Sequence, residues 1–304
     1  MKQPEVSIII VSWNVADLLD HCLSSIRAFC TNFSYEVIVV DSASSDNSVA
    51  MVRSKHPEVT LIAEPENVGF TKGNNIGLAA ATGKHILYLN PDVELIEDAI
   101  GPMLEYLEAH ADVGVVGCKL LNTDRSHQSS IGRYLRLSSL VHEYYLREKG
   151  EKFRVSHPDQ ATTVEVVLGA CMLVRGEQVR AINGFDERYF MYQEETDMCL
   201  TLHRQGFHTV YLPTVAMIHH GSQSSTKSAE SRQRTLHENR KSQVLFITKH
   251  YGAGAGLLAK LLIGAAMLIR APLFAVANLC RPSDQSNNKQ RYYFRTIRWL
   301  LIGR

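Results

Sequence analysis

The sequence predicts an α/β fold with its loops gathered along one edge of a central sheet, and three observations carry that prediction. Val6 to Val11 is a short run, β-branched apart from Ser7, as expected of a central parallel strand. Tyr35 to Val40 and Val59 to Ala63 repeat the pattern, with a helix from about Asp17 to Phe29 between the first two. Strand and helix therefore alternate through the opening segment, which favours parallel strands joined by crossover helices. The third observation is how the runs end: Ser12-Trp13-Asn14 follows the first strand, and Asp41-Ser42-Ala43-Ser44-Ser45-Asp46 the second.

The stretch Ile86-Leu87-Tyr88-Leu89-Asn90-Pro91-Asp92-Val93 is the centre of this plan. An apolar run meets Asn-Pro-Asp, and Pro91 cannot continue a ladder, so the strand stops with Asp92 at its tip. In α/β proteins that edge is where ligands and metals sit. A carboxylate there either caps the following helix, expected from Ile96 to Ala109, or binds a metal or substrate. The remaining motifs favour binding.

Bulk properties narrow the classes. The chain has 304 residues and a formal charge of +1, so no global field points to nucleic acid. Six scattered cysteines lack metal-ligand spacing, and a chain this long needs no disulfide framework, which favours a reducing compartment. The N-terminus reads as a first strand, not as a signal peptide, and the catalytic part is expected to be cytoplasmic.

No Gly-x-Gly-x-x-Gly follows the first strand, and the first glycine is Gly69, so a dinucleotide-binding half is not expected. A nucleotide bound here would be gripped by side chains. Asp41 is the leading candidate, since a carboxylate at a strand tip accepts from a base N–H or a ribose hydroxyl; the alternative is a turn residue bonding its own backbone. Asp46 or Ser48 can cap the next helix. In Glu66-Asn67-Val68-Gly69-Phe70-Thr71-Lys72-Gly73-Asn74-Asn75, Gly69 and Gly73 suit a close-fitting loop, and the asparagine pair is expected to open a short helix that Gly83 terminates. Lys72 and that helix N-terminus either face phosphate or, for Lys72, water.

Further along, Val113 to Val116 reads as a strand. The polar, aromatic-dotted segment Leu120 to His157 reads as an excursion over the site, with Ser126-His127-Gln128-Ser129-Ser130 within it and His127 a surface residue. Val164 to Val174 resumes regular structure, with Gly169-Ala170 leaving room for an acceptor. In Gly184-Phe185-Asp186-Glu187 and the Glu194-Glu195-Thr196-Asp197 that follows, part of the acidic cluster is helix capping, but three carboxylates beside aromatics exceed what a cap requires. A strand pair ending at Tyr211-Leu212-Pro213 and a strand Val215 to Ile218 lead to His219-His220. Ser222 and Ser224 are phosphate-binding candidates, and Arg232 to Tyr251 is an amphipathic helix carrying Arg240.

Four motifs in order, Val6–Asn14, Val39-Val40-Asp41-Ser42-Ala43-Ser44-Ser45-Asp46, Asn67-Val68-Gly69-Phe70 and Leu89-Asn90-Pro91-Asp92, resemble a family 2 glycosyltransferase, over about Val6 to His250. The resemblance implies a GT-A nucleotide-diphospho-sugar transferase fold, a mostly parallel central sheet flanked by helices, and inversion at the transferred sugar. It implies that Asp41 holds the base, with Ser12, Asn14, Asn67, Gly69, Lys72, Asn75, Asn90 and Arg240 as further donor contacts. Asn90-Pro91-Asp92 stands for the family's Asp-x-Asp, so Asp92 and His219 would hold Mg²⁺ or Mn²⁺, with one acidic charge fewer. Gly184-Phe185-Asp186-Glu187 and the acidic residues after it resemble the second signature. The family's base is the aspartate of a Glu-Asp pair; the matching position is Glu195, with Glu194 in reserve and Asp197 orienting a neighbour or binding acceptor hydroxyls. Members with these segments look like bacterial rhamnosyltransferases using dTDP-L-rhamnose, with UDP- and GDP-sugars also open. The departures at Asn90 and Glu195 motivate the alternative of a silent nucleotide-sugar-binding or assembly protein.

From Ala253 to Cys280 the only charges are Lys260 and Arg270, which leaves no 18-residue uncharged run. Two short helices lying in a membrane interface are expected, followed to Arg304 by a basic, aromatic tail with Tyr292, Tyr293, Phe294 and Trp299. Burial against the protein or a partner is the alternative. The expected division is a catalytic domain over 1–250 and a membrane-associating segment over 251–304, on the inner leaflet, with a lipid-linked saccharide as acceptor. A second copy of the chain, as a homodimer, is a further candidate partner.

Overall fold

A computed structural model describes residues 3–146, 158–221 and 229–280, with positions 296, 298 and 299. The chain forms two compact units. One comprises Met1–Tyr134, Val155–Glu187 and Glu194–Ser224; the other comprises Leu135–Arg154, Arg188–Gln193 and Ser225–Arg304.

The first unit is built on β1 (Val6–Ser12), α1 (Ala16–Phe29), β2 (Tyr35–Ser42), α2 (Ser48–Lys55), β3 (Thr60–Glu64), α3 (Gly69–Ala80) and β4 (His85–Leu89). The strands lie side by side as β3-β2-β1-β4, all parallel. Ile8 and Ile10 share one core with Leu19, Cys22 and Ile26 of α1. On the opposite face Ile9 meets α3. Burying each such isoleucine stabilises the fold by about 1.5–3 kcal/mol. Gly73 and Gly77, one turn apart, let α3 lie directly on β1: a Cβ would stand 2.8 Å from Val11 at the first and 2.4 Å from Ile9 at the second. The expected loop around Gly73 is therefore the first turns of a helix that begins at Gly69 and ends at Ala80.

Beyond Pro91 the chain departs from expectation. A strand not expected from the sequence, β5 (Val93–Leu95), comes before the expected helix, whose first residues, 96–99, are bend and coil, so that α4 runs only over Ile100–Ala109. Next come β6 (Val113–Leu121), β7 (His127–Gln128), β8 (Ile131–Gly132), β9 (Thr162–Val164), β10 (Val166–Val167), β11 (Cys171–Arg175), α6 (Gly176–Ala181), α7 (Glu194–Arg204) and β12 (His208–His219); α5 (Leu137–Tyr145) belongs to the other unit. The sheet continues as β4-β11-β6-β12-β5. Here β11 is antiparallel to both neighbours, while β6 and β12 are parallel. Pro213 does not end a strand. β12 passes through it with a register shift against β6 between Leu212 and Ala216, the bulge expected where a proline withholds a ladder donor.

The second unit contains α5, α8 (Ala229–Tyr251) and α9 (Ala253–Cys280), with Gly252 at φ +93° turning one helix into the next. Leu140, Tyr144, Val244, Ile247, Ala259, Ile263 and Met267 are buried. One continuous helix replaces the two expected after Ala253, because isolated Lys260 and Arg270 interrupt apolarity without interrupting backbone hydrogen bonding. Its segment Ala253–Pro272 is long and apolar enough to cross a membrane, and 28% of that stretch is buried. Tyr292, Tyr293 and Phe294 lie outside the described residues.

Candidate active site

The C-terminal ends of β1, β2, β3 and β4 share one edge, and the loops after β1, β2 and β3 are bound together by short polar side chains. Asn14 takes a left-handed conformation (φ 57°), its N–H donates to Ser44 Oγ at 2.9 Å, and its Oδ1 accepts from Ser45 N–H at 2.7 Å. Asp46 caps two helices at once, accepting Ala16 N–H of α1 and Ser48 N–H of α2. Asn67 Oδ1 accepts Gly69 N–H, and Val68 N–H donates to Ser42 Oγ, which fixes the entrance to α3. These bonds leave a stiff rim around Asp41.

Asp41 is 2% exposed. Its Oδ2 accepts Ser44 N–H at 2.9 Å, whereas Oδ1 is buried without a hydrogen-bond partner among the described residues. Ser12, its register partner on β1, has a buried hydroxyl in the same condition. Burying an unmatched polar atom costs about 1–3 kcal/mol, so two on one edge are a binding surface more readily than a packing defect. Lys72 is exposed on the first turn of α3. Asn75 is held elsewhere: its amide donates to Phe185 O at 2.8 Å and accepts from Phe185 N–H at 2.9 Å, so it ties α3 to the Gly184 turn.

At the tip of β4, Asn90 N–H donates to Ala170 O, and Asp92 O accepts His220 N–H. β5 pairs with the end of β12, Val93 opposite His219. This pairing sets His219 Nε2 3.4 Å from Asp92 Oδ1 and 3.5 Å from the Asn90 side-chain nitrogen. Asp92 and His219 are 7% and 8% exposed. Gln128 completes the group: its Oε1 lies 2.6 Å from His219 Nδ1 and its Nε2 donates to His219 O at 3.0 Å. Nothing in the sequence gave Gln128 a role. The turn-forming Asn122-Thr123-Asp124 ahead of it is the one local signal, since it predicts the hairpin that carries Gln128 back over β6.

The same neighbourhood reaches the acidic helix. Gly169, beside Ala170, packs on Glu195, whose Cβ would lie 3.5 Å from a Cβ added at the glycine. Glu194, Glu195 and Asp197 occupy the first turn of α7 and are all buried. Tyr192 and Gln193 immediately before them have φ of 70° and 69°, a left-handed pair of bulky residues. Each such residue costs about 1–3 kcal/mol, and strain of this kind collects at functional sites.

Asp92 and His219 supply one carboxylate oxygen and one imidazole nitrogen. That donor set fits a hard or borderline divalent cation whose remaining ligands come from a diphosphate. Among the described residues, no three His, Cys, Asp or Glu side chains gather as a self-sufficient metal cluster. Arg240 lies in the other unit, where it pairs with Glu143 at 2.7 Å and its guanidinium stands over the Tyr144 ring. Ser222 and Ser224 lie outside the described residues.

Comparison with known proteins meets this geometry. Residues 7–164 match the Glycosyl transferase family 2 profile, and residues 126–281 match Glycosyl transferase family group 2. The rhamnosyltransferase WbbL of Escherichia coli is 29% identical over 223 residues, covering 71% of this chain and 83% of that protein. An N-acetylglucosaminyl-diphospho-decaprenol L-rhamnosyltransferase of Mycobacterium tuberculosis is 24% identical over 268 residues, covering 81% and 85%. The O-antigen biosynthesis protein RfbC of Myxococcus xanthus is 26% identical over 230 residues, which are 74% of this chain and 18% of that longer protein. Among solved structures, a Pyrobaculum calidifontis mannosyltransferase in complex with GDP-Man and Mn²⁺ superposes with a TM-score of 0.59 at 18% identity, covering all of this chain and 88% of the other. TarS of S. aureus gives 0.53 at 15% identity, over 86% and 43%. The fold is thus GT-A-like, and with more than half its length matched the chain belongs to glycosyl transferase family 2 and is a glycosyltransferase.

Proposed function

We propose that this glycosyltransferase moves L-rhamnose from dTDP-L-rhamnose, with inversion, onto a polyprenyl-diphosphate-linked saccharide in bacterial surface polysaccharide synthesis. The observation that carries the donor site is the buried carboxylate oxygen of Asp41, unmatched beside the unmatched Ser12 hydroxyl. Those two atoms accept from and donate to the nucleoside, in a rim held rigid by Asn14 and Asn67. Asp92 and His219 would hold the divalent cation, Mg²⁺ or Mn²⁺, which when bound would neutralise charge developing on the departing diphosphate. Asn90 donates to phosphate oxygen, and Lys72 on the first turn of α3 adds positive charge from that side. The names of the relatives support rhamnose and a lipid-linked acceptor.

Glu195 is the base. Its carboxylate removes the proton of the acceptor hydroxyl as that oxygen attacks the anomeric carbon, and the nucleoside diphosphate leaves from the opposite face. Gly169, with no side chain in front of Glu195, leaves room for the acceptor. One base and an activated donor suffice for a single inverting displacement. Asp197 orients the acceptor.

The C-terminal segment supports attachment to a membrane, and we place that attachment on its cytoplasmic face. Leu257, Leu261 and Leu268, with Leu258 and Ile269, are exposed on α9, while Ala259, Ile263 and Met267 are buried. Both faces of this helix are apolar, which favours a lipid neighbour over water.

The test is a donor screen. Purified full-length protein is incubated with dTDP-rhamnose, UDP-glucose, UDP-GlcNAc and GDP-mannose, Mn²⁺ or Mg²⁺, and a short polyprenyl-diphosphate-GlcNAc, and nucleoside diphosphate release is followed. Acceptor-dependent release from dTDP-rhamnose, abolished in Glu195→Gln, is expected. Acceptor-dependent release from a UDP- or GDP-sugar alone would contradict the rhamnose assignment. Tight donor binding without turnover on any acceptor would favour the silent binding protein.

A further inference from the structure

We infer that Gln128 is a positioning residue that locks His219 in its Nδ1–H tautomer and so turns the Nε2 lone pair toward Asp92. The inference rests on the proposed reading of Asp92 and His219 as the cation-binding pair.

The argument begins with the amide. Which end of a glutamine side chain is oxygen has to be decided by its neighbours. Here one end faces two oxygens, the His219 backbone carbonyl at 3.0 Å and Asn122 Oδ1 at 2.9 Å. The carbonyl can only accept, so that end of Gln128 is the NH₂ group. The other end is then the oxygen, 2.6 Å from His219 Nδ1. Two acceptors cannot share such a contact, so Nδ1 carries the hydrogen. In the neutral ring the lone pair is left on Nε2, 3.4 Å from Asp92 Oδ1.

A lone pair facing a carboxylate oxygen is unfavourable unless a proton or a metal cation stands between them. That arrangement is what a cation ligand requires, and orientation through the second ring nitrogen is how metal-binding histidines are commonly held. The fold supplies the lock by a simple route. β7 turns back antiparallel on β6, with Gln128 opposite Leu120, and β6 is paired with β12, with Ile218 opposite Leu121. The hairpin turn that places Gln128 is itself closed by Asn122 N–H on Ser126 O and by Asp124 accepting from Ser126. A glutamine 91 positions away in the chain thus reaches the imidazole of the last β12 residue.

The tautomer is read without metal, from ¹⁵N shifts of histidine-labelled full-length protein, with His219→Asn assigning the signal. A protonated Nδ1 with a bare Nε2 is expected in the wild type; an Nε2–H signal would overturn the inference. Mn²⁺ binding is then followed by electron paramagnetic resonance in the presence of dTDP. Gln128→Leu should mix the tautomers and weaken Mn²⁺ by about 10–100-fold, the range seen when the partner of a ligating histidine is removed. Gln128→Glu, which keeps an acceptor at Nδ1 but sets an oxygen against the His219 carbonyl, should recover part of that loss. A Gln128→Leu protein with unchanged tautomer and unchanged Mn²⁺ affinity would reject the positioning role. Wild-type protein that shows the Nδ1–H form but binds no Mn²⁺ with dTDP would overturn the cation reading, and the lock would then serve His219 in another capacity.

Discussion

Strands β1 and β2 carry the same pair of residue types at both ends, a serine opposite an acid, and the two ends are treated differently. At the N-terminal end Ser7 lies opposite Glu36, and Glu36 Oε1 accepts four hydrogen bonds: Ser7 Oγ at 2.5 Å, Thr82 N–H at 2.7 Å, Thr82 Oγ1 at 2.8 Å and Gly83 N–H at 3.1 Å. At the C-terminal end Ser12 lies opposite Asp41, and there both the serine hydroxyl and one carboxylate oxygen are buried without a partner among the described residues. A fully satisfied network holds strands and loops together; an unsatisfied one costs stability until a ligand supplies the missing partners. On the proposed reading, one end of the sheet serves the fold and the other the substrate. Left-handed Asn14, Ala43, Tyr192 and Gln193 all flank the proposed ligand-binding motifs, which agrees with that division.

The comparison can be broken most forcefully at the base. Glu195→Gln should lower kcat by about 10²–10⁴-fold, the usual contribution of a positioned base, with donor affinity kept. Stopped assays of nucleoside diphosphate release beside donor titrations would check it. Retention of more than a tenth of the turnover would remove Glu195 from the base position.

Asp41→Asn should raise the dissociation constant for dTDP by about 10–100-fold, matching loss of a charge-assisted hydrogen bond. The same variant should melt no lower than the wild type, since it relieves a buried unmatched carboxylate oxygen. Glu36→Gln is its mirror image. It should cost about 1–2 kcal/mol of stability in chemical denaturation, with turnover per folded molecule unchanged.

The acid limb of stability sharpens the contrast further. Burial raises the Glu36 carboxyl, but the hydrogen bonds from Ser7, Thr82 and Gly83 outweigh it and leave the group below its ordinary value of 4.5. The folded state therefore releases this proton more readily than the unfolded chain. Its stabilising contribution is complete above about pH 4.5 and fades as pH falls through the lower folded value. Glu36→Gln should flatten the stability profile in that window, as denaturation midpoints from pH 3 to 6 would reveal. Ser12→Ala is the smallest change expected: within about 0.5 kcal/mol in stability, with a modest loss of dTDP affinity.

Much of this was legible in the sequence because strands β1, β2 and β4 announce themselves by unbroken apolar runs and end in polar clusters. Asp41, Asn90 and Asp92 were readable at those ends, since a parallel strand delivers its last residues to a common edge. The parts that were not legible depend on partners distant in the chain. β5 is three residues between the Asn-Pro-Asp turn and the expected helix, too short to read as a strand, and only pairing with the end of β12 makes Val93–Leu95 one. Gly73 reads as a loop residue until α3 is laid against Val11. Asn75 read as a donor contact, yet its amide bonds Phe185 across 110 positions. The long α9 was hidden by two charges that break a hydropathy window but not a helix.

The most direct test of the central claim compares the two ends in one experiment: calorimetric titration of Mn²⁺ and dTDP into wild type, Asp41→Asn and Glu36→Gln. The account predicts that Asp41→Asn loses at least tenfold in affinity while Glu36→Gln, folded, binds as the wild type does. Equal affinity in all three, or loss only in Glu36→Gln, would show that the nucleotide does not bind at the end of the sheet where Asp41 and Ser12 stand.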